Sequence, residues 1–440
     1  GFIVFFGSVC IFFSGVHDGV AQEKKEGWSL RACIEHAREH NLQVGYARVA
    51  LENTSVELSR GKAQRLPSLS FSSTQGWVHQ KKTGTNGDLK SSSAYTGSYS
   101  LNGNLSIYEG RKLSRSILQQ ELTEKAMKLN VLVAQNDIEI AVTEAYLQIL
   151  YANETLKTDR QTLESSEVQL ARSRELCQAG SISQSDLAQM ESQYSSDQYR
   201  VIQSENNLAF SRLQLKQLLE LEPEEDFEVM FPELDEKSVL VTIPRLEDVY
   251  REALLVMPEM KSRQISVEAS VLGEKIAKAG YLPTVALSAS VSTNHDSKSS
   301  GSYFSQMDDR LVENVGVNIS IPIWNRKQAR LNVSKAKLQT EQVRLDEQNT
   351  RKDLLQTVES LHQDVAAQSR YSAAIQRVKS AYESYRQVQE KFDAGMKNAV
   401  ELLVEKNNYL SALQERIQAK YQAVLAYKLL NFYRNESINI

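Results

Sequence analysis

The sequence predicts a mainly helical chain carrying four β-strands of membrane type, built as two copies of one unit in which a strand hairpin is followed by a very long helical hairpin. Three observations carry this reading. Glycine and proline are scarce, 19 and 7 among 440 residues; Gly180 is the only glycine between Arg111 and Leu272, and Gly395 the only one after Val317. Stretches free of both breakers suit long helices and exclude a loop-rich enzyme fold over most of the chain. A set of short motifs recurs at one fixed offset. Four segments alternate apolar and polar residues with period two, and most of the remainder keeps a seven-residue apolar spacing.

Composition narrows the function classes. The chain is 41% hydrophobic and 24% charged, with 51 basic against 55 acidic residues and a net charge of −4. There is no basic surplus to draw nucleic acid. The cysteines Cys10, Cys33 and Cys177 form no CxxC pair and no metal-ligand spacing, so neither a disulfide framework nor a zinc cage is indicated. Residues 1–16 are nearly all apolar or small, and Gly19-Val20-Ala21 then precedes a charged run. This reads as the apolar region and cleavage site of a secretory signal peptide over residues 1–21, although the sequence shows no basic leader segment and no initiator Met. An apolar run this short falls below the ~20 residues of a spanning helix. Removing it, with Asp18 as its one charge, takes the net charge from −4 to −3. No later run has the length and apolarity of a transmembrane helix, so the expectation is an exported protein that meets a membrane by other means.

The repeat is the strongest signal. Arg65-Leu66-Pro67-Ser68-Leu69 matches Tyr281-Leu282-Pro283-Thr284-Val285 at an offset of 216, and Leu105-Ser106-Ile107-Tyr108 matches Ile321-Pro322-Ile323-Trp324 at the same offset. Ala179-Gly180 with Asp186-Leu187 matches Ala394-Gly395 with Glu401-Leu402 at 215, and Tyr194 matches Tyr409. The first copy is set at residues 22–232 and the second at 233–440.

Strands are expected at about 66–80 and 94–108, and again at about 283–293 and 312–324. In the second of these Tyr95, Gly97, Tyr99, Leu101, Gly103, Leu105 and Ile107 alternate with Thr96, Ser98, Ser100, Asn102, Asn104 and Ser106. The polar faces are Ser, Thr and Asn, almost without charge. A strand of this length with one apolar and one polar face matches a tilted bilayer crossing between lipid and water. A soluble sandwich is the other account of the same alternation. The polar linkers Lys81–Ser93 and Asn294–Arg310 read as exposed hairpin loops. Four strands cannot close a membrane barrel, which needs about eight. An open edge in lipid would leave backbone groups unpaired, at several kcal/mol each. Several copies must therefore join, and geometry alone permits a dimer, trimer or tetramer.

The helices show the coiled-coil period. Val142, Ile149, Leu156, Leu163, Leu170 and Cys177 lie seven apart, as do Leu187, Tyr194, Val201, Leu208 and Leu215, and Leu403, Leu410, Ile417 and Val424. This predicts helices at about 110–178 and 182–221 turning at Gly180, and at about 325–393 and 397–434 turning at Gly395. The first would run roughly 100 Å at ~1.5 Å per residue. Shorter helices at Leu30–Arg65 and Leu246–Ala279 open the two copies, and Glu222–Pro244, with three prolines, joins them.

Taken in order at constant offset, these motifs make the chain resemble the TolC family of outer-membrane efflux ducts, from Trp28 to Tyr433. The resemblance rests on the duplication, on Leu-Pro-Ser-Leu and Leu-Pro-Thr-Val opening the first strands, and on Ile-Pro-Ile-Trp closing the last. It also rests on the turns Cys-Gln-Ala-Gly-Ser-Ile-Ser and Phe-Asp-Ala-Gly-Met-Lys-Asn. What it implies is a homotrimer whose 12-stranded outer-membrane β-barrel continues into a periplasmic coiled-coil α-barrel closed at its tip. The partners implied are a periplasmic adaptor protein, an inner-membrane transporter and outer-membrane lipid, with no nucleic acid and no cofactor. The implied function is passive export of small molecules; a duct for type I polypeptide secretion and a non-conducting periplasmic tether are the alternatives. Carried over by position, the periplasmic gate falls on Asp186, Lys397 and Glu401. Val404 stands where the family often has a further acid, so a two-layer acidic gate is not implied. The turns Gly180, Ser181 and Ile182, and Gly395 and Met396, fall where an adaptor would touch, although a glycine at such a turn is first of all a helix cap.

One enzymatic pattern occurs. His36-Ala37-Arg38-Glu39-His40 fits H-x-x-E-H, which puts two imidazoles on one helix face. No distal acidic ligand accompanies it, and His17, His79, His295 and His362 are isolated, so two solvated histidines on a short helix are the expectation. No phosphate loop and no nucleophile elbow appear, and no catalytic or metal residues are assigned.

Overall fold

The computed structural model describes residues 27–83, 89–222, 224–225, 227–232, 243–365 and 367–438. The proposed signal peptide at 1–21, Cys10 and part of the connector lie outside the described residues.

Each half opens on a pair of helices where the sequence suggested one. Ser29 caps α1 (Leu30–His40), its hydroxyl accepting the Ala32 N–H. Asn41 then ends α1 and starts α2 (Leu42–Ala63), with its side-chain oxygen accepting the Gln43 N–H at 2.8 Å. In the second half Met257 separates α5 (Leu246–Val256) from α6 (Pro258–Lys278). Met257 is driven out of the helical region by the proline after it, which itself suits a first helical position. Asn41 and Met257 both sit at extended ψ, 135° and 128°. They are 216 positions apart, the spacing of the sequence motifs.

The strands β1 (Ser68–Thr83), β2 (Leu89–Glu109), β3 (Thr284–Asp296) and β4 (Val312–Ser320) form one antiparallel sheet in that order. Pairing sorts the side chains by chemistry. Leu69, Phe71 and Trp77 stand opposite Gly103, Leu101 and Tyr95. Leu101 and Leu105 stand opposite Val291 and Leu287, which meet Glu313 and Val317. On the other face Ser70 and Ser72 oppose Asn102 and Ser100, and Asn102 opposes Ser290, which meets Asn314. A register shift between Ser106 and Tyr108 makes Tyr108, rather than Ile107, the partner of Val285, so Tyr108 joins the apolar side. β1 and β2 extend beyond the expected ends toward the hairpin. β4 stops at Ser320, short of the expected 324, because Pro322 has no N–H to give a ladder. Within the segment expected as a loop, a short helix α7 (Tyr303–Asp309) forms instead, with Ser302 as its cap.

The long helices follow: α3 (Lys112–Gln178), α4 (Gln184–Leu218), α8 (Gln328–Val365), α9 (Ala367–Asp393) and α10 (Ala399–Phe432). The segment read as one helix over 325–393 is α8 and α9, with residue 366 outside the described residues. Next to the sheet α2 packs on α3, α3 on α6 and α6 on α8, so the helices keep the order of the strands to which they connect. At the far end α3 pairs with α4 and α9 with α10. The main core lies between, where Val142, Tyr146 and Ile149 of α3 meet Leu215, Met260, Val358 and Leu430. Tyr146 donates to the Met230 carbonyl at 2.6 Å and Trp28 bridges to Val229, which fixes the connector to this core. Burial pushes the Cys33 thiol up to about 12, so it behaves as packing and not as a nucleophile. Among the described residues no helix is long and apolar enough to cross a membrane.

Candidate functional site

The eight residues assigned from the sequence come together at one end of the molecule. Gly180, Ser181, Ile182 and Asp186 from the first helical hairpin line one open depression with Gly395, Met396, Lys397 and Glu401 from the second. The two turns are built alike. The Ser181 N–H reaches the Leu176 carbonyl and Gly180 the Cys177 carbonyl; the Met396 N–H reaches Lys391 and Gly395 reaches Phe392. This is the left-handed cap that ends a helix on glycine, and both glycines have φ +75°. An added Cβ would touch nothing within 4 Å at either site, so the requirement lies in the backbone alone. Gly180→Ala or Gly395→Ala is expected to cost about 1–2 kcal/mol, checked as faster hydrogen exchange in the adjoining helix ends.

Asp186 joins the two hairpins. Its carboxylate accepts the Ser183 hydroxyl at 2.7 Å while the Ser183 oxygen accepts the Asp186 N–H, a reciprocal cap on α4. Its other oxygen accepts the Ala399 N–H at 3.4 Å, at the positive end of α10. The Ser183 hydroxyl, helped by the Ser183 and Ala399 amides, holds this carboxyl below its ordinary range. Lys397, in the turn before α10, pairs with Glu401 in the first turn of that helix at 2.7 Å, each about two-fifths exposed. Within one chain neither reaches Asp186 by an ion pair. Beneath them Phe392, Ala399 and Leu402 form a small buried floor with Leu170, Met190 and Tyr385.

A second feature was not read from the sequence. Between α3, α4 and α10 the Lys406 ammonium lies 3.1 Å from the Asp197 carboxylate and against the Ser166 hydroxyl, with both charged side chains at most 3% exposed. Asp197 also accepts Ser166 Oγ–H and, at 3.0 Å, Gln193 Nε2–H. Burial lowers the affinity of Lys406 for its proton, and the neighbouring Asp197 opposes that. One layer nearer the sheet Asp159 accepts the Ser204 hydroxyl, and burial raises the Asp159 carboxyl. The signal was available. Asp159, Ser166, Asp197 and Lys406 each lie three residues after a heptad apolar residue, Leu156, Leu163, Tyr194 and Leu403, which is the second core position of a coiled coil.

The H-x-x-E-H pair is spoken for. His36 Nε2 donates to the Leu219 carbonyl at 3.1 Å, His40 Nδ1 to the His36 carbonyl, and the two rings stack at 4.2 Å. Among the described residues no group of three His, Cys, Asp or Glu side chains could hold a metal ion.

A duplicated sheet-and-helical-hairpin chain with one apolar strand face and one polar face that is almost without charge defines an outer-membrane channel subunit. The chain belongs to the outer membrane efflux protein family, whose sequence profile matches residues 33–220 and 249–433. Members are non-enzymatic efflux channels of the outer membrane that work with adaptor and pump partners. That removes the non-conducting tether. The fold is similar to the solved structure of CusC, at TM-score 0.78 and 16% identity over 93% of this chain and 95% of that one. It is likewise similar to the outer membrane protein VceC from Vibrio cholerae (0.75, 15%, 92% and 94%) and to the CmeC outer membrane channel of Campylobacter jejuni (0.74, 18%, 98% and 96%). A search of curated protein sequences finds no match.

Proposed function

We propose that three copies join β4 of one to β1 of the next, giving a twelve-stranded barrel with the apolar faces in lipid and the Ser and Asn faces lining water. The observation that carries this is the open sheet itself. β1 and β4 have a neighbour on one side only, and α2 and α8 stand at the matching edges of the helical layer. Both edge helices leave apolar side chains at or near heptad spacing in solvent: Leu42, Val49 and Val56 on one, and Leu331, Leu338 and Leu345 on the other. A neighbouring copy would cover them. The water-lined interior carries mostly hydroxyls and amides, which suits passive export of small molecules with the driving energy supplied by a pump. Met396, Val400 and Val404, each about half exposed or more, give the tip an apolar rim for an adaptor protein.

In this reading the tip charges close the duct. The Asp186 contact spans the first and second helical hairpins, and Lys397 and Glu401 ring the same narrow end by symmetry. Exposed ion pairs are worth ~0–1 kcal/mol each, which suits a closure that a partner must loosen. Asp186→Ala combined with Lys397→Ala is expected to raise single-channel conductance in a planar bilayer several-fold; unchanged conductance removes the gate assignment. The pH dependence has a definite sign. A carboxyl held below its ordinary ~3.9 stabilises the closed tip above that value and loses the contribution as pH falls through its folded value. Conductance should therefore stay flat from neutral pH to about 4 and rise only below it.

A further inference from the structure

The helix α7 sits on the apolar side of the sheet, and we infer that it is an interfacial membrane helix: it lies in the outer boundary layer of the lipid instead of folding over the pore mouth. The inference rests on the barrel reading above. Three observations support it. The Tyr303 hydroxyl is 2.7 Å from that of Tyr99, and the Thr293 hydroxyl donates to the Met307 carbonyl. Tyr99 and Thr293 are direct partners across β2 and β3, on the face that carries Leu101, Val291 and Phe71. The helix is thus fastened to the lipid side of the wall.

Depth follows from counting. Tyr108 and Tyr99 share the apolar face of β2, nine positions apart, which is about 30 Å along a strand at ~3.4 Å per residue. A strand tilted by ~45° brings this to about 21 Å across the membrane, close to the apolar band of ~25 Å that aromatic girdles flank. Tyr108, Tyr281 and Trp324, all exposed, mark the inner rim. Trp77, Tyr95, Tyr99 and Tyr303 mark the outer one, where Tyr95 donates to Gln75 Oε1 and Gln75 Nε2 donates to the Tyr99 oxygen, both at 2.6 Å. The bond to Tyr99 sets α7 at that level.

The helix also presents an apolar side chain where such a position needs one. Gln306 is 4% exposed and binds the loop to itself: its amide donates to the Ser299 and Gly301 carbonyls, and its oxygen accepts the Asp296 N–H. With those three backbone groups satisfied by Gln306, Phe304 projects outward at 80% exposure, edge-on to Tyr303, and Asp308 and Asp309 are exposed as well. A phenylalanine left in water costs transfer energy that a lipid boundary recovers.

The test uses single-tryptophan versions of the full chain, reconstituted as channels of native conductance in phosphatidylcholine vesicles. In one version Trp28, Trp77 and Trp324 become Phe and Phe304→Trp is added; in the other only Trp77 is kept. Lipids brominated near the top of the acyl chain should quench the indole placed at position 304 to the same fraction as Trp77, and aqueous acrylamide should reach neither. If the residue-304 probe is quenched by acrylamide and not by bromolipid while Trp77 behaves as a lipid-facing group, α7 faces water and the inference fails with the barrel intact. If neither responds to bromolipid, the barrel reading fails as well. The unmodified chain gives an independent check: a phospholipid carrying a photoreactive group near its headgroup should label the peptide holding residues 303–309, and an unlabelled peptide overturns the inference.

Discussion

Replacing Lys406 by methionine is expected to destabilise the end of the helical region by about 3–5 kcal/mol. The Asp197 carboxylate is 1% exposed, and its negative charge is offset at close range by that one ammonium; Arg200 stands at 4.0 Å. Methionine fills a similar volume but leaves the charge in a medium that solvates it poorly, with only the Ser166 hydroxyl and the Gln193 amide to accept from. The loss should fall steeply when Asp197→Asn is added, because the cost lies in the orphaned charge and less in the missing attraction. A membrane assembly of this size does not unfold in one step, so the measurement is hydrogen exchange of α4 and α10 amides around the pair. Lys406→Met should speed exchange there markedly, and the double substitution should recover most of the protection. Exchange as slow in Lys406→Met as in the unaltered chain would mean that the pair does not hold the two helical hairpins together.

Two neighbouring residues on β4 should answer opposite questions. Val317 stands on the apolar face and Asn318 on the polar one. An arginine on the lipid side near mid-membrane costs ~2–4 kcal/mol per chain, and the cost recurs in every copy of the assembly. Val317→Arg is therefore expected to abolish the heat-modifiable migration that marks a closed barrel. Asn318→Arg would place the same charge in water; it should assemble normally and shift ion selectivity toward anions. If both variants assemble, the faces are not lipid and water; if both fail, the strand tolerates no arginine and the contrast says nothing of a bilayer crossing.

The parts of this fold legible in the sequence are those governed by periodicity. Strand faces alternate with period two, so Tyr95, Tyr99, Leu101 and Leu105 group on one face from the sequence alone, and the pairing register then brings Leu69, Val291 and Val317 to the same side. The glycine turns were legible because only Gly180 and Gly395 interrupt their helices, and their φ of +75° is what glycine supplies most readily. What escaped was set by local chemistry or by tertiary packing. The break at Asn41 depends on a side-chain cap that a helical pattern conceals, although its counterpart at Met257 is announced by Pro258. The shift at Ile107 depends on pairing with a strand almost 180 residues away. The short helix α7 escaped because Ser, Gly and Asp around it read as loop, while Gln306, the buried residue of the helix itself, supplies the hydrogen bonds that tie it to the preceding loop. Lys406 escaped for a different reason: a lysine on a long helix is ordinarily solvated, and only the packing of three helices shows it enclosed.

A pore forms only if open sheets find one another in lipid. Native mass spectrometry of the chain extracted from vesicles, paired with conductance from the same preparation, tests this most directly. Three chains per particle, opening as one pore, is the predicted result; a single chain that stays dispersed in buffer without detergent, or a conducting particle of two or four chains, would contradict it.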